Sequence, residues 1–266
     1  MRTKFLIFII TGLVFAGGLL LCSNIKTKEI TAEYDSDTVD ELKISKSFKA
    51  NPNLNLYIES EVADVLIQSH EENKIDVDFY AKGLVKKLKE FNVSFEESEN
   101  SLTIKVKRKK KIRWFDFTDL FDLFSREWYE SVKLIVNVPQ KLSNVSIKAS
   151  GGDVKISSIE ANFDISSAGG DIYGEGINGT IYASSAGGDI RLKSCANSGE
   201  IKTSGGDIFI TDYQGSLELK SSGGDITVNK LSGNVNASSA GGDIKVDFFK
   251  PSGTTKLSSA GGDIKI

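Results

Sequence analysis

Histidine is nearly missing from this chain: His70 is the one example in 266 residues. Catalysis built on histidine, or a metal cluster held by several of them, has almost no material to work with. Cysteine is limited to Cys22 and Cys195. If Cys22 is lipidated or stays in a membrane, no intramolecular disulfide can form, and Cys195 then reads as a small core residue. A strong excess of either charge is also lacking, since 33 basic against 36 acidic side chains leave a net charge of −3. That balance argues against a dedicated nucleic-acid binder. There is no phosphate-loop lysine motif, no Gly-x-Ser-x-Gly and no His-Glu-x-x-His. Glycine is scarce in one half only: four of the 25 lie in residues 1–130 and the rest in 131–266. With 39% hydrophobic residues the chain can bury a core, so two differently built halves are expected rather than disorder.

The first half opens on an uncharged run from Phe5 to Cys22, preceded by Arg2 and Lys4. This reads as a signal peptide or membrane anchor over residues 1–22. The run ends Leu19-Leu20-Leu21-Cys22, which resembles a bacterial lipobox, with Leu21 departing from the small residue that pattern has before its cysteine. Lipidation at Cys22, an uncleaved anchor and plain cleavage all remain open. Residues 23–45 read as a polar tether.

The second half is a repeat. Gly-Gly-Asp occurs with its aspartate at Asp153, Asp171, Asp189, Asp207, Asp225, Asp243 and Asp263, at intervals of 18 until a final interval of 20. Fixed self-similarity of this kind is the signature of a stacked solenoid. Counting each aspartate as position 1, position 2 reads Val154, Ile172, Ile190, Ile208, Ile226, Ile244 and Ile264. Position 4 is also apolar, apart from Gly174. Position 7 runs from Ile159 to Phe249, and position 13 runs from Ile165 to Leu257. The residues between positions 2 and 4 are mostly polar, so each coil is made of short strands with one side inward. Gly179, Gly215 and Gly233 at position 9 suggest a second turn. The polar residues at positions 8 and 14 are incompatible with a left-handed hexapeptide helix, and the lack of a nine-residue unit argues against a calcium roll. The expected fold is an all-β parallel β-helix with 18-residue coils over 140–266, preceded by irregular coils of the same solenoid over 46–139. Glu59–Ile67 looks like a glycine-free copy of the unit.

Tandem Ser-Ser-Ala-Gly-Gly-Asp-Ile units after Val136-Asn137-Val138-Pro139 resemble the bacterial putative adhesin family of β-strand-repeat proteins, a family of uncharacterised function. The resemblance spans roughly residues 46–266. It implies a parallel β-helix in the cell envelope and carries no catalytic residues to transfer.

Three features invite chemistry. The aspartate column either accepts hydrogen bonds from turn amides or binds cations or sugar hydroxyls. Gly174, Gly176 and Gly179 match a dinucleotide fingerprint by spacing, but a strand and not a helix is expected after them. Seven of the nine residues from Lys105 to Arg113 are basic. Beyond them Trp114, Phe117, Phe121, Phe124 and Trp128 recur at three- and four-residue spacing. That pattern predicts an amphipathic helix inserted at 112–130, either a cap on the solenoid end or an interface with a membrane or partner. No cofactor or metal site is expected. The sequence supports an exported, membrane-tethered, non-enzymatic protein with an adhesin-like or scaffolding role, its partner an envelope protein or polysaccharide. A self-assembling filament and a polysaccharide-acting enzyme are the rivals. The final strand, Asp263–Ile266, is weakly guarded by charge and suggests a homo-oligomer paired through that edge.

Overall fold

The computed structural model describes residues 26–29, 41–83, 91–109 and 129–266. Among them there is no α-helix, and so none long and apolar enough to cross a membrane. The first nine strands are β1 (Lys26–Glu29), β2 (Glu41–Lys49), β3 (Asn55–Ser60), β4 (Asp64–His70), β5 (Lys74–Gly83), β6 (Phe91–Ser98), β7 (Ser101–Arg108), β8 (Tyr129–Pro139) and β9 (Lys141–Ala149). The remainder are β10 (Val154–Ser157), β11 (Glu160–Ser167), β12 (Ile172–Glu175), β13 (Ile181–Ser185), β14 (Ile190–Thr203), β15 (Ile208–Ser221), β16 (Ile226–Ser239), β17 (Ile244–Pro251), β18 (Lys256–Ser259) and β19 (Ile264–Lys265).

From β9 onward the chain winds as a parallel β-solenoid of 18-residue coils. Each residue pairs with its equivalent one repeat later: Ile190 with Ile208, Ile208 with Ile226, Ile226 with Ile244. Two ladders result. One carries the strand after each Gly-Gly-Asp turn and the other carries the strand before it. In the long strands β14, β15 and β16 the chain bends from one ladder to the other with its pairing interrupted only at Ser194, Asp212 and Lys230. Alternation places Ile208, Ile210, Leu217 and Leu219 of one coil inward and fully or almost fully buried, and this core is continuous along the whole stack. Burial of such side chains is the main favourable term in folding, at about 1.5–3 kcal/mol each.

The N-terminal half departs from the expected irregular coils in an informative way. β3 and β4 do form a coil, and so do β7 and β8. However, β3 lies between β7 and β9, and β4 lies between β8 and β10. The chain therefore lays down an inner coil first, then an outer one, and returns to the inner coil to begin the regular stack. Beyond the outer coil the ladders end in antiparallel strands: β6 on β7 with β1 on β6, and β5 on β8 with β2 on β5. A two-residue turn, Glu99–Asn100, joins β6 to β7, and so short a link permits antiparallel pairing alone. The phenylalanines of this end pack together, Phe48 on Phe95 at 5.3 Å and Phe79 on Phe91 at 5.6 Å between ring centroids.

Several expectations are corrected. The proposed tether at 23–45 contains strand β1 and the start of β2. Tyr129 and Glu130 open strand β8, with Tyr129 paired to Gly83, and do not close a helix. Phe249 is not the inward residue of its coil. A register shift in β17 pairs Phe248 with Leu231 and leaves Phe249 79% exposed. Position 9 does carry positive φ, 143° to 157° at Gly179, Gly215 and Gly233, but a left-handed corner also lies before it. Ser158, Gly176, Ser194, Asp212 and Lys230, all at position 6, have φ between 51° and 65°, so the left-handed turn is built mostly from residues other than glycine. The apolar run 5–22 with Cys22, and the predicted helix with Trp114, Phe117, Phe121, Phe124 and Trp128, lie outside the described residues.

Candidate interaction surfaces

The Gly-Gly-Asp turn sets the geometry of every coil. In the second glycine of each triplet an added Cβ would lie 2.1 to 2.4 Å from the backbone oxygen of the coil before it. No side chain fits there, so the glycine is required by the stacking distance and not by its φ. The aspartate that follows turns its Oδ1 toward the next coil and accepts the backbone N–H of the next aspartate at 2.7 to 3.0 Å. Asp64 begins this column by accepting from Asp153, and the order continues through Asp171, Asp189, Asp207, Asp225 and Asp243 to Asp263. One carboxylate oxygen of each accepting coil is thereby engaged in holding the stack. Arg191 meets the column directly, at 3.2 Å from Asp171 and 2.7 Å from Asp189, with its guanidinium 5.3 Å from the Phe209 ring centroid. Opposite charge between two members offsets part of the repulsion among stacked carboxylates.

A buried hydroxyl column runs inside the same turn. Ser185, Thr203, Ser221, Ser239 and Ser259 each donate to a glycine carbonyl of the coil before. Each also accepts the amide three residues ahead, at 2.9 to 3.2 Å. Ser60 likewise accepts the Ala63 amide, while donating to the Ala63 carbonyl of its own coil, so the glycine-free copy at 59–67 keeps the local turn bond. Every polar atom here has a structural partner, as buried polar groups must.

Other singled-out residues are quickly placed. Gly174 sits in β12, Gly176 at the left-handed corner and Gly179 under the backbone of Ala161; no helix opens there. Cys195 is buried, with its Sγ 3.3 Å from the Lys193 carbonyl, and burial pushes its thiol pKa up. His70 donates from Nε2 to the Lys74 carbonyl at 2.8 Å and borders an open depression of about 390 Å³ with Pro52, Pro139 and Lys141. Among the described residues no group of three or more histidine, cysteine or acidic side chains is arranged to hold a metal.

The outward rows of the two ladders remain. On one, Tyr173, Arg191 and Phe209 stand side by side. Tyr173 donates to Glu175, and that bond together with the Lys193 ion pair holds the Glu175 carboxyl below its ordinary range, with Lys193 contributing most. On the other, Tyr57, Ser146, Asp164, Tyr182, Glu200 and Glu218 form one row across successive coils. Tyr57 is 44% and Tyr182 52% exposed. Alongside runs a ladder of amides, in which Asn144 donates to Asn55 at 2.8 Å and Asn162 to Asn144 at 3.4 Å. The position-12 row is readable from the repeat, because outward residues alternate with inward ones. What hides it is that no single residue type runs through all its members.

Several solved structures resemble the chain, two of them as follows. One, from Bacteroides fragilis, is described as a putative adhesin, with 22% identity and a TM-score of 0.59, covering 84% of this chain and 96% of its own. The other, from Parabacteroides distasonis, carries the same description, with 14% identity, a TM-score of 0.50, and coverage of 85% and 97%. At such identities the likeness is one of fold. No curated protein matches. The family described as Toastrack DUF4097 matches residues 53–266, the span from the first complete coil to the last strand, and the chain belongs to that family.

Proposed function

We propose that this chain is an exported, adhesin-like β-solenoid that works by binding and not by catalysis, held at the cell envelope by its N-terminal segment. The observation that carries the reading is the division of its polar groups. The turn hydroxyls and aspartates are engaged in coil-to-coil hydrogen bonds, with the buried Tyr213 hydroxyl the exception, while aromatic, amide and charged side chains stand outward in flat, regular rows. A flat array suits an extended partner better than a small substrate, which needs a concave site. The description of the two structural relatives as adhesins supports the same reading. So does the apolar run at residues 5–22, the feature expected to direct export. The aspartate column commits Oδ1 to backbone amides, and Glu200 is paired with Lys202, so these carboxylates are held in structural contacts. The test is expression of the full chain in its host, followed by fractionation and protease treatment of intact cells, with binding of the purified full chain to isolated envelopes. Recovery in the envelope fraction and saturable binding are expected. A cytosolic protein that binds no envelope material would refute the reading.

A further inference from the structure

The row from Tyr57 to Tyr182 has features that the opposite ladder lacks. Its two tyrosines stand on either side of the shorter Ser146 and Asp164 in the same row, and the next row reads Glu59, Lys148, Ser166 and Ser184. The rings are three strand steps apart, Tyr57 to Ser146 to Asp164 to Tyr182, or about 14 Å at a strand spacing of about 4.8 Å. On one side stand Asn55, Asn144 and Asn162, hydrogen-bonded to one another and so fixed in orientation. Next to Tyr182 lies a shallow depression of about 190 Å³ lined by Asp164, Ser184, Glu200 and Lys202. Glu200 and Lys202 pair with each other there. By contrast, Tyr173 and Phe209 on the other ladder flank an arginine already bound to two aspartates.

We infer that the outer face of β3, β9, β11 and β13 binds an extended, β-linked neutral polysaccharide lying along the solenoid axis, with Tyr57 and Tyr182 stacking on its sugar rings. This rests on the proposed function above and specifies its partner. Three arguments carry it. First, the step between coils is close to the rise per sugar of an extended β-linked chain, so a polymer along the axis meets equivalent side chains at each sugar. Second, an exposed tyrosine offers an apolar face for the C–H side of a pyranose ring and a hydroxyl for its edge. The fixed amides of the asparagine ladder and the Asp164 carboxylate supply donors and acceptors for sugar hydroxyls. Third, charge in and beside the row is nearly balanced, Asp164, Glu59 and Glu200 against Lys148 and Lys202, which suits a neutral ligand over a nucleic acid or a strongly charged polymer.

The experiment is co-sedimentation of the purified full chain with cellulose and chitin, both β-linked, and with starch as the α-linked control. Binding to at least one β-linked polymer and not to starch is expected. Tyr57→Ala and Tyr182→Ala should each weaken it by about tenfold, the loss of one stacked ring, and the double variant should abolish it. Tyr182→Phe should retain binding, because the ring face remains. All four variants should melt with the parent protein, since both side chains are exposed on a sheet face. Two results overturn the inference: no binding to either β-linked polymer, or binding that the double alanine variant leaves intact. If the same preparation still binds isolated envelopes, the partner assignment alone fails. If it binds neither envelopes nor polymers, the proposed function fails with it.

Discussion

Tyr213 is the largest fully buried side chain, and its hydroxyl has no hydrogen-bond partner among the described residues. Burial pushes its pKa up from the usual tyrosine value. An unsatisfied buried hydroxyl costs about 1–3 kcal/mol. Tyr213→Phe removes that cost and leaves a void of roughly 10 Å³, which returns only about 0.2 kcal/mol at about 24 cal/mol per Å³. The substitution should therefore stabilise the protein by about 1–2 kcal/mol, raising Tm by about 2 to 8 °C for a chain of this size. The structure also explains how so large a ring fits. Gly199 occupies a position that is Phe163, Ile181, Leu217 and Val235 in the other coils. A Cβ on it would lie 2.8 Å from the Tyr213 hydroxyl and 2.9 Å from Leu217 Cδ2. Gly199→Ala alone should destabilise by about 1–3 kcal/mol through overpacking. In the Tyr213→Phe background it should cost less by about 1 kcal/mol, because one of the two close contacts has gone. Calorimetric melts of the four proteins complete the cycle. A lower Tm for Tyr213→Phe would show that the hydroxyl is held by an ordered water, and additive effects would show that Gly199 is not shaped by Tyr213.

Three further outcomes are expected. Asp207→Asn should leave the unfolding free energy within about 0.5 kcal/mol, since an amide oxygen still accepts from Asp225 N–H, whereas Asp207→Ala should cost about 1 kcal/mol in chemical denaturation. Equal losses for the two would mean that the charge itself matters. Gly224→Ala should cost more than about 3 kcal/mol, because its Cβ would meet the Gly206 oxygen at 2.1 Å, while Gly223→Ala, whose nearest contact is 3.5 Å, should be tolerated. Similar melting of these two variants would contradict the stacking argument. Asp76 is held below its ordinary pKa, first by the Ser47 hydroxyl and then by Lys74. Its contribution is present above the normal carboxylate range and is lost as pH falls through the lowered folded value. Asp76→Asn should flatten that part of the stability–pH curve, and an unchanged curve in titrated melts would remove Asp76 from the account.

The regular coils were legible because each constraint repeats. Isoleucine at position 2 and glycine before the aspartate are imposed anew by every stacked neighbour, so an interval of 18 exposes them together. The N-terminal end was not legible for the opposite reason. Ile75, Val77, Phe79 and Ala81 of β5 alternate as any strand would, and alternation is silent on whether the partner runs parallel or antiparallel. Phe249 does not point inward because the pairing shifts within β17, and of two adjacent phenylalanines the repeat interval alone picks the wrong one. The position-6 corner escaped notice since Ser158, Asp212 and Lys230 advertise no left-handed turn. As for the binding face, Tyr57 and Tyr182 lie 125 residues apart in sequence, and it is the interleaving of β3 with β7 and β9 that brings them into one row.

That interleaving also dictates an order of assembly. In the regular stack each coil finds its neighbour 18 residues away, so every closure is local and the coils can zip progressively. The β3–β4 coil instead waits for partners far along the chain: Asn55 pairs with Asn144, and Val65 with Val154. Contacts of such long range form slowly. A chain emerging from its N-terminus thus exposes its first strands while nothing yet exists for them to pair with. Folding should nucleate among the late repeats and proceed backward, closing the N-terminal end last. Strands β3 and β4, among the first synthesised, are the ones whose ladders are completed last, since their partners near Asn144 and Val154 follow 89 residues later.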